Sequence, residues 1–119
     1  MTGTQGGIFY LFAGTNPENY EKVFQEFENE ILRIQEGDMS QEEIDRCKTC
    51  LISSQRLSLQ TPSSRGSQAL LDTIYGMDVN HWRTYNERIN SITKKQIQEF
   101  AKTYFQKANR VRLAIGKIE

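Results

Sequence analysis

The spacing of apolar side chains changes character along the chain, and each change predicts an element. Ile8-Phe9-Tyr10-Leu11-Phe12-Ala13 is apolar on both alternating faces and stops at Gly14, the pattern of a strand buried inside a sheet. Asn16-Pro17-Glu18 then supplies a cap acceptor, a proline suited to a first helical position and an acid facing the positive end of a helix dipole. A helix is expected from there. Tyr20, Val23, Phe24, Phe27, Ile31 and Ile34 recur three and four apart and define its packed face, with Glu21, Lys22, Glu26, Glu28 and Gln35 on the other. Gly37 is placed to end it in a left-handed conformation.

Ser40-Gln41-Glu42-Glu43 has the form of a capping box and predicts a second helix, whose inward positions read as Ile44, Cys47, Leu51 and Leu57 or Ser58. Thr61-Pro62 predicts a kink or break before Ser63, with helix resuming through Ala69, Leu70, Leu71 and Ile74 and closing at Gly76. Trp82, Tyr85 and Ile89 mark a further helix. Thr93-Lys94-Lys95-Gln96 is a second capping box, opening a last helix with Ile97, Phe100, Ala101 and Tyr104. The period then falls to two. Val111, Leu113 and Ile115 alternate with Arg110, Arg112 and Ala114, as in a strand with one apolar face that ends near Gly116.

The order strand, helices, strand predicts an α+β fold, with helices packed on one face of an antiparallel-type sheet. Two strands are too few for an independently stable sheet, so further strands are expected from an upstream segment of a longer parent or from a second copy of the chain pairing at the sheet edge. Residues 1–7, rich in glycine and threonine, read as a loop exposed where a longer reading frame was cut. At 119 residues the chain is sized for one domain, residues 1–119, rather than a two-domain enzyme.

Charge narrows the function classes. Lys plus Arg and Asp plus Glu are 15 each, so no net field exists to hold a nucleic-acid backbone or an anionic membrane. Phe9, Tyr10 and Phe12 could stack on bases, but that balance argues against a nucleic-acid platform. No apolar run approaches the roughly 20 residues of a membrane-spanning helix, and no secretory leader opens the chain. A soluble piece is expected, its compartment unspecified.

Cys47 and Cys50 are the two cysteines, three apart and about two turns inside the second predicted helix. A redox Cys-x-x-Cys usually sits at a helix start after a strand, and a zinc site needs more ligands. Packed thiols are the expectation. His81 is the single histidine, read as a surface or helix-start residue. Arg65, in Thr61-Pro62-Ser63-Ser64-Arg65-Gly66, reads either as a contact to substrate or partner or as an arginine tying a loop.

Taken in order, Gly7 to Thr15 with Asn16-Pro17-Glu18-Asn19, the Ile34 to Gly37 turn, Ser40-Gln41-Glu42-Glu43-Ile44 with Lys48, and then Ser58 to Arg65, Tyr75-Gly76, Ile89 to Thr93 and Val111 to Gly116 form a pattern. It resembles the carboxy-terminal part of a non-catalytic domain in the insulinase-like, pitrilysin-type zinc metallopeptidase family. The likeness covers nearly the whole chain and rests on many moderate matches rather than on one signature. It implies a clam-shell parent built from homologous α+β domains, with zinc in the first and substrate-contacting groups in a later one. This piece corresponds to the distal part of the later type.

The family's chemistry uses His-x-x-Glu-His, two imidazoles on zinc and a glutamate activating water. His81 is followed by Trp82, Arg83, Thr84 and Tyr85, so the motif is not in this chain. The substrate-binding arginine and tyrosine of the family lie upstream of the segment matching Ile8 to Ala13, and no role passes to Tyr10, Arg65 or Tyr75. The expectation is therefore no catalytic, cofactor-binding or metal residue here, with zinc in the parent's catalytic domain. The chain would wall the chamber and enclose substrate in a zinc metalloendopeptidase, or serve as a non-enzymatic interaction domain like inactive partner subunits. Its partners would be the other domains or a sister subunit, with peptide substrate in the parent. A dithiol oxidoreductase using Cys47 and Cys50 is the remaining reading.

Overall fold

The computed structural model describes residues 6–116. The helices are α1 (Tyr20–Glu36), α2 (Gln41–Ser58), α3 (Pro62–Ile74), α4 (Tyr85–Ser91) and α5 (Lys94–Tyr104), with 3-10 turns at Pro17–Asn19, His81–Thr84 and Lys107–Asn109. Residues 1–5 of the glycine-rich opening lie outside the described region.

The α+β expectation is overturned. Among the described residues the architecture is all-helical, with a lone bridge position at Gly7 and no strand or sheet. Both segments read as strands run as irregular backbone with their apolar side chains in water: Phe12 is 86% exposed and Val111 95%. The physical reason lies in what a strand pattern reports. Alternation and β-branching signal a fit to a pleated, half-buried surface, and an extended segment gains its hydrogen bonds only from a neighbour. Among the described residues no sheet forms to give either segment such a pleated surface.

The chain folds as two compact units, one of residues 6–39 with 95–116 and one of residues 40–94. In the first, α1 packs with the face its periodicity predicts: Tyr20, Val23, Phe24, Phe27, Ile31 and Ile34 are all half-buried. Gly37 stops the helix at φ 79°, and the Asp38 N–H reaches back to the Arg33 carbonyl at 2.9 Å. A left-handed residue there satisfies carbonyls that the helix end would leave open. Ala101 on α5 is buried, and Gln35 and Gln98 tie α1 to α5 by side-chain amides.

In the second unit the Ser40 capping box forms as its sequence predicts, with Glu43 N–H on Ser40 Oγ and the Ser40 N–H on Glu43 Oε2. The inward face of α2 differs from expectation. Ile44 is buried and Lys48, Ile52, Gln55 and Leu59 are half-buried, whereas Cys47, Leu51 and Leu57 face water. Polar chains occupy inward positions because each finds a carbonyl: Lys48 Nζ donates to Asn90 O at 2.9 Å and Gln55 Nε2 to Trp82 O at 3.2 Å.

Pro62 does not bend a continuous helix. It is the first residue of α3, after an extended Thr61 whose hydroxyl accepts from the Ser64 N–H at 3.1 Å. Leu70, Leu71 and Ile74 are 61%, 45% and 56% exposed, and Asp72 is the buried residue of this helix. Among the described residues, no helix is long and apolar enough to cross a membrane.

Candidate functional site

The described part of the first unit ends in a segment whose alternation faces opposite to its hydropathy. Beyond the 3-10 turn Lys107–Asn109, Arg110 takes extended backbone angles and places neighbouring side chains on opposite sides. The arginines turn onto α1. Arg110 pairs with Glu28 and Arg112 with Glu21, while the Arg112 guanidinium lies 3.9 Å from the centre of the Phe24 ring. Cation and ring attract through the ring's quadrupole, so Arg112 is held by charge and by stacking together.

Val111, Leu113 and Ile115 consequently point outward, at 95%, 73% and 90% exposed. The same unit exposes Ile8, Phe9, Tyr10, Leu11 and Phe12. Phe9 touches the body of its unit edge-on, with ring centres 5.5 Å from Phe100 and 5.4 Å from Phe105. Two short apolar segments are thus held at their roots and left open along their lengths. Monomeric proteins seldom leave such surface uncovered, and where they do it marks an interaction site.

Electrostatics at the arginine clamp act on Glu21. Its carboxyl is held below the usual carboxylate range, mainly by the hydrogen bond from Arg112. The Tyr20 hydroxyl is pushed up, first by its hydrogen bond to Glu21 and next by that residue's negative charge.

The chemistry-bearing residues of the second unit do not converge. His81 opens a 3-10 turn, its N–H on Asp78 O at 2.8 Å and its carbonyl accepting from Arg88. Arg65 ties the end of the preceding helix, donating from Nη1 to Leu59 O at 3.2 Å and Gln60 O at 3.3 Å. That geometry fits the loop-tying reading. Cys47 and Cys50 are free and exposed, which corrects the expectation of packed thiols: Cys47 flanks the buried Ile44 and Cys50 lies further round α2, on the side away from Ile44 and Ile52. Among the described residues, no group of three or more His, Cys, Asp or Glu could hold a metal ion.

Sequence reasoning missed Asp72, the one charged side chain buried among the described residues. Its Oδ1 accepts from Gln68 Nε2 and its Oδ2 from the Trp82 N–H, both at 2.9 Å. The carboxylate fastens α3 to the turn at Trp82 and its acceptors are met, so its role is to position the backbone. The available signal was the i, i+4 spacing of Gln68 and Asp72.

A protein-family model described as the Peptidase M16 inactive domain matches residues 2–51. That span holds α1, the capping box and most of α2, together with the exposed segment from Ile8 to Phe12. It supports the family resemblance over those residues. The later blocks from Ser58 onward, which carried the resemblance in the sequence, lie outside it. No curated protein and no solved structure matches the chain.

Proposed function

We propose that the chain is a non-catalytic part of an M16-type zinc metalloendopeptidase, where it encloses substrate as part of the chamber wall and docks on the other domains or subunits. The match of residues 2–51 to the inactive domain of that peptidase class carries this reading. Two physical observations support it. The sequence lacks His-x-x-Glu-His, so the water-activating centre would come from another polypeptide segment. The apolar side chains of Ile8 to Phe12 and of Val111, Leu113 and Ile115 stand uncovered, and burying each would contribute about 1.5–3 kcal/mol.

A second reading, favoured by the same uncovered segments, is an interaction domain related to inactive peptidase partner subunits, with no hydrolysis in the assembly. Affinity purification of the tagged chain from its source cells, with mass spectrometry of what is retained, separates the two. A retained polypeptide bearing His-x-x-Glu-His supports the peptidase assembly, and a partner without it supports the interaction domain. Both fail if the purified chain alone, supplied with zinc, cleaves a fluorogenic peptide in a chelator-sensitive way.

A further inference from the structure

Exposure of both thiols on α2 changes what Cys47 and Cys50 can do. Residues three apart on an α-helix are surface neighbours, with Cα atoms about 5 Å apart from the helical rise and radius and Cβ atoms about 5–6 Å apart. A disulfide requires Cβ atoms about 3.5–4.5 Å apart and sulfurs about 2.05 Å apart, so oxidation would have to draw the two β-carbons together and distort the helix at this turn. An ion held between the sulfurs spans two metal–sulfur bonds, each about 2.3 Å for a d10 ion such as zinc, and bridges the same pair at the helical spacing.

Coordination number then selects the ion. Zinc seeks four ligands and a hard cation seeks six or more oxygens, whereas this site offers two sulfurs. The neighbouring Asp45 carboxylate already accepts from Gln41 Nε2 at 2.9 Å, and no third His, Cys, Asp or Glu joins the pair to form a metal-holding group among the described residues. Paired thiolates with no third donor suit a soft, low-coordinate ion.

We propose that Cys47 and Cys50 form a two-thiolate chelate for copper(I) on the exposed face of α2. Each thiol releases its proton to solvent as its sulfur bonds the ion, so one ion displaces two protons and no electron is transferred. Binding tightens as pH rises. The site is independent of the peptidase reading, since the two cysteines need no partner polypeptide.

The test is an anaerobic titration of the 119-residue chain with copper(I) against the chromogenic chelator bathocuproine disulfonate, with light scattering and far-UV circular dichroism on the same samples. The expected result is one ion withdrawn from the chelator per monomer, with the helical signal kept. Cys47→Ser and Cys50→Ser should each weaken binding by about 10²–10⁴-fold, because the second sulfur binds intramolecularly, while leaving the helical signal of the free chain unchanged. The proposal is overturned if the chain draws no copper from the chelator, if either single variant binds as tightly as the parent, or if the ion is held only between two chains.

Discussion

Gln98 donates its side-chain amide to the Gln35 backbone across the packing of α1 on α5, while the Gln35 amide reaches past it to the end of α5. Gln98 Nε2 donates to the Gln35 carbonyl at 3.0 Å, and Gln35 Nε2 donates to the carbonyls of Ala101 at 3.1 Å and Phe105 at 3.0 Å. The Gln35 amide thereby adds a second donor to the Ala101 carbonyl, which already accepts from the Phe105 N–H at 3.0 Å, and to the Phe105 carbonyl, which also accepts from Arg110. Replacing Gln35 with Ala should cost about 0.5–1.5 kcal/mol, because two part-buried hydrogen bonds are lost while each carbonyl keeps another donor. Urea denaturation followed by circular dichroism measures this, with Gln25→Ala as control. Gln25 bonds Asn29 on the exposed side of α1, so its loss should stay within about 0.5 kcal/mol.

Gly37 and Gly76 share a left-handed backbone, at φ 79° and 74°, but differ in what surrounds them. A Cβ on Gly37 would stand 2.9 Å from Gln98 Nε2, whereas one on Gly76 would meet nothing within 4 Å. Gly76→Ala should therefore show the backbone penalty alone, about 1 kcal/mol. Gly37→Ala should cost more, because Gln98 must leave its bond to Gln35. Equal losses in the two variants would show that Gln98 yields without cost.

Asp72 offers a graded series. Asp72→Asn keeps an oxygen for the Trp82 N–H, and Gln68 can turn its amide to meet the new NH₂. Asp72→Ala leaves that N–H without a partner, at about 1–3 kcal/mol. Stability should fall in the order Asp, Asn, Ala in thermal melts, with Trp82 fluorescence reporting the change in the Ala variant first.

The Glu21–Arg112 clamp should respond to acid. Because the folded carboxyl titrates below its ordinary range, the clamp's contribution is present above the unfolded value and is lost as pH falls through the folded one. Glu21 is exposed at 63% of its side chain, so salt should weaken the pair as well. An NMR titration following the Arg112 Nε–H tests both. A resonance that does not move between neutral and acidic pH would contradict the pairing, and Glu21→Gln should abolish the transition.

Helix positions were legible where local chemistry decides them. The Ser40 and Glu43 box, the Gly37 stop and the half-buried stripe from Tyr20 to Ile34 are properties of sequence neighbours. Failures arose where a distant group decides. Lys48 and Gln55 turn inward because the carbonyls of Asn90 and Trp82 await them, 42 and 27 residues away, and hydropathy alone assigned that face to Cys47 and Leu51 instead. The strands failed for a related reason: Val111, Leu113 and Ile115 look like an inward face, but Glu28 and Glu21 capture Arg110 and Arg112 on the opposite one. Family likeness was legible up to Leu51, and the exposed thiols were not, since exposure depends on which way α2 is turned.

In α3 the usual hierarchy of mutational sensitivity is inverted. A charged residue sits at its most protected position while Leu70, Leu71 and Ile74 lie open to solvent, so a saturation library should accept lysine or glutamine at those three sites and reject leucine at 72. A substitution score trained on hydrophobicity would rank these four positions in reverse order.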